Sequence, residues 1–256
     1  MKKTLLKTTI LASVVAVSHL SALDIEVGGG IFGQTPTGSI AYSDTTTGFN
    51  GSYISKENKD TSIYVYTNVK NNIDYLPNLK LQYVDTKDSG SAKGDFKDFN
   101  TGGISVEATT EMKQYDVIPY YTIVKDFYKT EVDLGIDIKI VDASYEANGV
   151  NIIGVGNGNY SDSQLVALPM AYVKIRGNNL LQNISAEVEA KYVTYSGSSV
   201  YDVTIKADYG IKIYNSMKMF VEAGYRMQNF NIEDDGENTT MDMSYGGYFA
   251  GVSLHF

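Results

Sequence analysis

Hydrophobic and polar residues alternate along this chain over unusually long distances. From Tyr201 to Ile213, "YDVTIKADYGIKI" places Tyr, Val, Ile, Ala, Tyr, Ile and Ile at every odd position and mostly charged residues between them. Successive side chains of a strand point to opposite faces, so such a segment has one apolar and one charged face. The same pattern sets Val132, Leu134, Ile136, Ile138 and Ile140 against Glu131, Asp133, Gly135, Asp137 and Lys139. It also sets Ile184, Ala186, Val188, Ala190 and Tyr192 against Ser185, Glu187, Glu189 and Lys191, and Met219, Val221, Ala223, Tyr225 and Met227 against Lys218, Glu222, Gly224, Arg226 and Gln228. Strands in soluble sandwiches are typically about five or six residues long, so these segments are long for a sheet packed on another sheet.

Alternation and turn chemistry together predict ten strands, at 23–33, 61–69, 79–87, 114–124, 130–141, 163–176, 181–196, 199–213, 217–230 and 242–256. Pro119 and Pro169 each lack a ladder donor, which predicts a bulge or a change of phase at both. The connections sort by parity. Residues 34–60, 88–113, 142–162 and 232–241 read as long loops rich in Gly, Ser, Thr, Asn and Asp, and the even connections are mostly tight. Only the turn at Gly197 and Ser198 departs from this rule. Long loops at one end and short turns at the other predict an all-β, up-and-down antiparallel transmembrane β-barrel of about ten strands, within a range of eight to twelve. The apolar face then meets lipid and the charged face lines the interior. A soluble periplasmic barrel is the competing fold.

Composition narrows the partners. Residues 1–22 read as a secretory signal, with Lys2, Lys3 and Lys7 ahead of an apolar run from Ile10 to Val17 and a small residue, Ala22, at the expected cleavage point. Three of the 21 basic residues and none of the 30 acidic ones lie in that leader, leaving 18 against 30 and a net charge of −12 for residues 23–256. That balance excludes nucleic acid as an expected partner. With zero cysteines there is no disulfide framework. The 21 Tyr and nine Phe, with no Trp, are expected to build the interfacial girdles, Tyr83, Tyr192, Tyr201 and Phe256 among them.

The last eleven residues, "GGYFAGVSLHF", end on an alternating Tyr248, Ala250, Val252, Leu254 and Phe256. They resemble the C-terminal signal read by the assembly machinery of bacterial outer-membrane barrels. The blocks "LPNLKLQY", "YDVIPYYTIV", "VDLGIDIKIVDA", "LPMAYVKI", "YDVTIKADY" and "VEAGYRMQNFNIEDD" cover about half of residues 23–256 in order, the "GYR" strand followed by an acidic loop being the most distinctive. They resemble a family of small, largely uncharacterised proteobacterial outer-membrane β-barrel proteins. Gly247 stands where that family would have Pro. The resemblance implies a fold and a place in the outer membrane of a Gram-negative cell, with outer-membrane lipid, lipopolysaccharide and, during biogenesis, the barrel-assembly machinery as partners. It implies no activity.

Few residues suggest catalysis. Barrel enzymes commonly use histidine as base or orienter. Here His19 falls in the leader and His255 at the periplasmic end of the last strand. No catalytic, cofactor-binding or metal-binding residue is expected. "GVGNGNY" at 154–160 lacks the strand and helix of a phosphate loop and reads as surface loop. "EDDGEN" at 233–238 lacks EF-hand spacing and reads as a solvated acidic loop.

The constellation that stands out is a lumen charge network of Glu187, Glu189, Lys191, Asp202, Lys206, Asp208, Glu222 and Arg226. If Gly197–Ser198 is a two-residue turn, Glu189 falls opposite Lys206; if residues 213–215 form the next turn, Glu222 also faces Lys206 and Asp202 faces Arg226. The network then fills the barrel or lines a narrow path. The expected function is a structural or surface-exposed, non-enzymatic envelope barrel. A narrow porin-like pore for small solutes or ions is the alternative, and a lipid-modifying enzyme a further one.

Overall fold

The computed structural model describes residues 23–256 except 72, 74, 215, 216, 235 and 237. The expected leader, and its cleavage after Ala22, lie outside the described residues. Twelve strands follow in order: β1 (Leu23–Asp44), β2 (Phe49–Ser55), β3 (Asp60–Asn71), β4 (Asn78–Gly94), β5 (Phe99–Asn100), β6 (Val106–Phe127), β7 (Thr130–Ile152), β8 (Gly156–Leu181), β9 (Ile184–Tyr195), β10 (Ser198–Lys212), β11 (Lys218–Asp234) and β12 (Thr239–His255).

All pair antiparallel, and the ring closes where β1 meets β12, from Glu26↔His255 to Tyr42↔Thr239. β1 pairs with β3 along its first half and with β2 near its end, and β4 does the same from the other side. β2 and β3 are therefore two halves of one stave. β5 lies in the connection after β4 and pairs with the tip of β7, with a single bridge from Asn100 back to Asp95. Ten staves result, in agreement with the sequence. Closure leaves no sheet edge along the shared height of the staves, which is what a barrel needs where no water can satisfy the backbone.

The strands run further than alternation alone suggested. Most of residues 34–60, 88–113 and 142–162, expected as loops, continue the staves as β1, β2, β4, β6, β7 and β8. Their Gly, Ser, Thr and Asn content reflects a change of surroundings, not an absence of strand. On β7 the outward side chains are Leu134, Ile136, Ile138 and Ile140, then Asp142, Ser144 and Glu146. The inward ones are Asp133, Asp137 and Lys139, then Val141, Ala143, Tyr145 and Ala147. β11 does the same, passing outward from Val221, Ala223, Tyr225 and Met227 to Asn229, Asn231 and Glu233, while Arg226 and Gln228 give way inside to Phe230 and Ile232. On these two strands the outer face is apolar and the inner face mostly polar or charged below the switch, and above it the order is reversed.

Paired tyrosines mark the switch. Tyr83 faces Tyr115 with ring centroids 5.1 Å apart, Tyr225 faces Tyr248 at 5.2 Å, and Tyr192 is opposite Tyr201. At the other end of the apolar band Tyr75, Tyr128, Tyr214 and Phe256 are exposed. From Tyr248 to Phe256 the band is nine residues tall on β12, against the roughly 9–11 residues a tilted strand needs to cross a bilayer.

Neither proline introduces a bulge. Pro169 pairs with Ile138 in unbroken register, and the β6–β7 register is the same on both sides of Pro119. The irregularities lie instead at Thr122–Phe127, Ala147–Val150 and Gly177–Leu181. Pro169 is tolerated because the pairing of β9 begins only at Ala171, so its missing donor falls where β8 has no second neighbour.

Gly247 has a packing reason. A Cβ there would come 1.8 Å from the Gly33 carbonyl oxygen at the β1–β12 seam. Gly247→Ala is expected to cost about 1–3 kcal/mol by forcing the closing strands apart, read as a lower urea midpoint of the folded barrel.

Candidate functional site: the charged barrel interior

All eight residues expected in the interior network are buried inside the barrel. Their pairing differs from the simplest turn assignment. The β9–β10 turn is Ser196–Gly197, both with positive φ, and Tyr195 pairs with Ser198. Lys206 consequently lies opposite Glu187, and Glu189 opposite Thr204. The next connection spans 213–217, so Lys206 pairs with Gly224 and Arg226 with Thr204. In each case the partner moves by two residues, which preserves the face of every side chain. The expected ion pairs with Glu222 and Asp202 then form diagonally.

Around Lys206, Nζ lies 3.1 Å from Glu222 and 3.7 Å from Glu187, with the Tyr66 ring centroid at 5.2 Å. The Tyr64 hydroxyl donates to Glu222 at 2.7 Å, and the Tyr66 hydroxyl lies within hydrogen-bond distance of Glu26 and Glu222. Arg176 bridges Glu187 at 3.1 Å and Asp208 at 2.8 Å. The centre of the network is a hub that the sequence left incomplete. Lys139 donates to Asp116 at 2.7 Å and to Asp202 at 3.3 Å; Lys191 donates to Asp116 at 2.5 Å, with Glu189 at 3.5 Å and Asp137 at 3.7 Å. Arg226 Nε donates to Asp202 at 2.9 Å. Lys80 pairs with Glu189 and Lys174 with Asp133.

Paired and hydrogen-bonded in this way, ionised groups can occupy a dry interior that would reject them singly. They leave little room. A cavity beside Lys206, between Phe32, Tyr64, Tyr66 and Phe249, measures about 40 Å3, enough for a few waters at most. Above it the interior is closed by an apolar core that includes Tyr53, Phe99, Met112, Met170, Phe230, Met243 and Tyr245. Phe99, brought in by β5, packs on Phe96, Tyr145 and Tyr160.

The other candidates fall apart as sites. His255 pairs with Glu26 at 3.2 Å and packs against Phe220, at the end opposite the tall sheet. Gly156–Tyr160 opens β8, so "GVGNGNY" is mostly strand and not loop. Glu233 and Asp234 end β11, and among the described residues no group of His, Cys, Asp or Glu has metal-site geometry. Tyr248, Val252, Leu254 and Phe256 all lie on the outer face of the closing strand or at its end.

No family model matches the chain, and no curated protein matches it. Among solved structures, the outer membrane protease OmpT from Escherichia coli superposes with a TM-score of 0.54 at 13% identity, over 93% of this chain and 98% of that one. This is the fold of bacterial outer-membrane β-barrels. Neisserial surface protein A covers 91% of this chain and 97% of its own at 12% identity and a TM-score of 0.37. The translocator domain of the autotransporter NalP from Neisseria meningitidis covers 100% and 97% at 13% and 0.41. At these identities the likeness concerns the fold.

One buried carboxylate lies above the tyrosine girdle. Asp88 accepts hydrogen bonds from Tyr53 at 2.7 Å and Ser55 at 2.9 Å. Burial raises its pKa, against the lowering effect of both hydroxyls. A folded pKa above the unfolded one means that the folded protein holds the proton more tightly. The ionised form is thus a penalty fully present above the folded pKa, and it fades as pH falls towards the ordinary carboxylate range. Asp88→Asn is expected to unfold at a higher urea concentration than the parent at pH 8, and the gap is expected to narrow on acidification.

Proposed function

We propose that this chain is an exported integral protein of the bacterial outer membrane, released from its leader after Ala22, whose barrel is a filled, non-conducting support for a sheet held outside the cell. The observation that carries this reading is the inversion of β7 and β11 at the tyrosine girdle. An apolar exterior about nine residues tall suits hydrocarbon, and the polar exterior above it, enclosing an apolar core, suits water. Outer-membrane lipid and lipopolysaccharide surround the band, and Tyr248, Val252, Leu254 and Phe256 serve as the signal for the assembly machinery. The protein belongs with the small proteobacterial envelope barrels that its sequence blocks resemble.

The role is non-enzymatic. OmpT is a protease, but in this chain the only histidine among the described residues is His255, held by Glu26 far from the outer sheet. Ion pairs across the lumen and an apolar plug above them favour a packed interior over a pore. Residues 23–256, folded and inserted in a planar bilayer after heat-dependent gel mobility confirms the fold, are expected to give no conductance steps. Steady, salt-dependent steps that change when Lys206 or Glu222 is neutralised would make the lumen a narrow pore and overturn this reading.

A further inference from the structure

The outer sheet is not of even height. β7 and β8 stay paired up to Ile152↔Gly156, whereas β9 joins β8 only from Ala171↔Tyr192 and turns back at Ser196–Gly197. Beyond that turn β11 and β12 rise again, to Asp234↔Thr239. Residues 156–168 of β8 thus have a strand partner on one side only among the described residues, and the sheet opens there in a notch between β8 and β11. The free edge is about 40 Å long at roughly 3.3 Å per residue.

The direction of this edge can be read from one bond. The backbone N–H of Asn178 donates to the Lys129 carbonyl at 2.7 Å, in register with Thr130↔Gly177, so even-numbered residues of β8 down to Tyr160 bond to β7 and Ser163 faces away from it, its N–H meeting Asp162 Oδ1 at 2.8 Å. Backbone groups of alternate residues share a side, so Ser161, Leu165 and Ala167 present their N–H and C=O to the notch as well. Pro169 ends the row. The floor of the notch is apolar: Tyr160, Leu168, Val193 and Ile232 are partly exposed where they pack on the upper core. Across the notch the outward side chain of Glu233 on β11 is acidic, whereas Asp162 of β8 lies on the same face as Tyr160 and Leu168.

We propose that this notch receives an extended segment of another polypeptide, which pairs with the β8 edge, lays apolar side chains on the floor and turns Lys or Arg outward towards Glu233. Main-chain pairing supplies affinity in such strand addition, and alternate side chains supply selectivity. A second copy of this chain fits poorly. Two-fold antiparallel pairing centred on residues 156–168 would set Asp162 of one copy opposite Asp162 of the other, a destabilising pair. An acyl chain could cover the floor but would leave the edge amides without partners.

The test uses a fluorescent twelve-residue peptide of alternating Val and Lys, and the same peptide N-methylated at every central residue. Anisotropy is followed with residues 23–256 folded in detergent micelles. Saturable binding of the first peptide is expected, weakened at least about tenfold both by N-methylation and by Leu165→Pro, which removes an edge donor and no β7 bond. Glu233→Lys is expected to weaken it in the same direction. Equal binding of both peptides, reflecting charge or grease alone, would overturn the proposal. So would no saturable binding, or self-association through this edge detected by cross-linking at Ser163→Cys in the otherwise cysteine-free chain.

Discussion

Replacing Lys191 by Met is expected to destabilise the barrel by about 3–5 kcal/mol, the cost of stranding buried carboxylates without their cation. Lys191 is 1% exposed, and its ammonium reaches Asp116, Glu189, Asp137 and Asp202 within 3.9 Å. Asp137 depends on it most. Neither oxygen of that carboxylate has a hydrogen-bond partner, and its ion pair is with Lys191 alone among the described residues. Methionine fills much of the space but returns none of the charge. Urea unfolding of the folded protein should therefore show a lower midpoint with an unchanged slope. Adding Asp137→Asn should recover part of the loss, because it removes one of the stranded charges. Lys206→Met should act in the same direction but more weakly, since the cavity beside Lys206 lets water reach Glu222. If both lysine variants unfold at the parental midpoint, the interior is wet and the ion pairs are not what fills it.

Much of this network was legible, and the part that was not has a physical cause. Strand alternation assigns a face to every residue, so Glu187, Glu189, Lys191, Asp202, Lys206, Asp208, Glu222 and Arg226 could be placed inside without knowing a single distance. Register needs the turns. Shifting the β9–β10 turn by one position moved the partner of Lys206 from Glu189 to Glu187, and no hydrophobic pattern reports that shift because parity is conserved. Contacts across the lumen are further out of reach. Lys191 meets Asp116 from a strand 75 positions away, and nothing local on β6 announces it.

The upper half of the fold was hidden for another reason. Residues 142–147 alternate as regularly as 132–140, but their apolar positions change from even to odd, and the adjacent pair Ile140–Val141 is the only mark of the change. On β11 the mark is the polar run Gln228–Asn229 between Met227 and Phe230. Read for a single apolar face, the strands end at those points and the rest looks like loop. Read for two environments, they continue through the girdle, and the same two marks give the height at which lipid stops.

Ile205→Lys is the substitution that decides whether lipid is there. Ile205 is 56% exposed, on β10 midway between Tyr201 and Tyr209. On a surface facing water, a charge at so exposed a position would change stability by no more than about 0.5 kcal/mol. Facing the middle of a bilayer, it is expected to cost about 2–4 kcal/mol. Asn231→Lys supplies the matched control, because Asn231 is an outward residue above the girdle, where the same charge should fall within about 0.5 kcal/mol of the parent. Both are measured by urea unfolding after folding into lipid vesicles. A large loss for Ile205→Lys beside a neutral Asn231→Lys would place the water boundary between these two positions. Equal and small effects would mean that the exposed isoleucines and leucines of the band do not face hydrocarbon. The outer-membrane assignment would then fall with them.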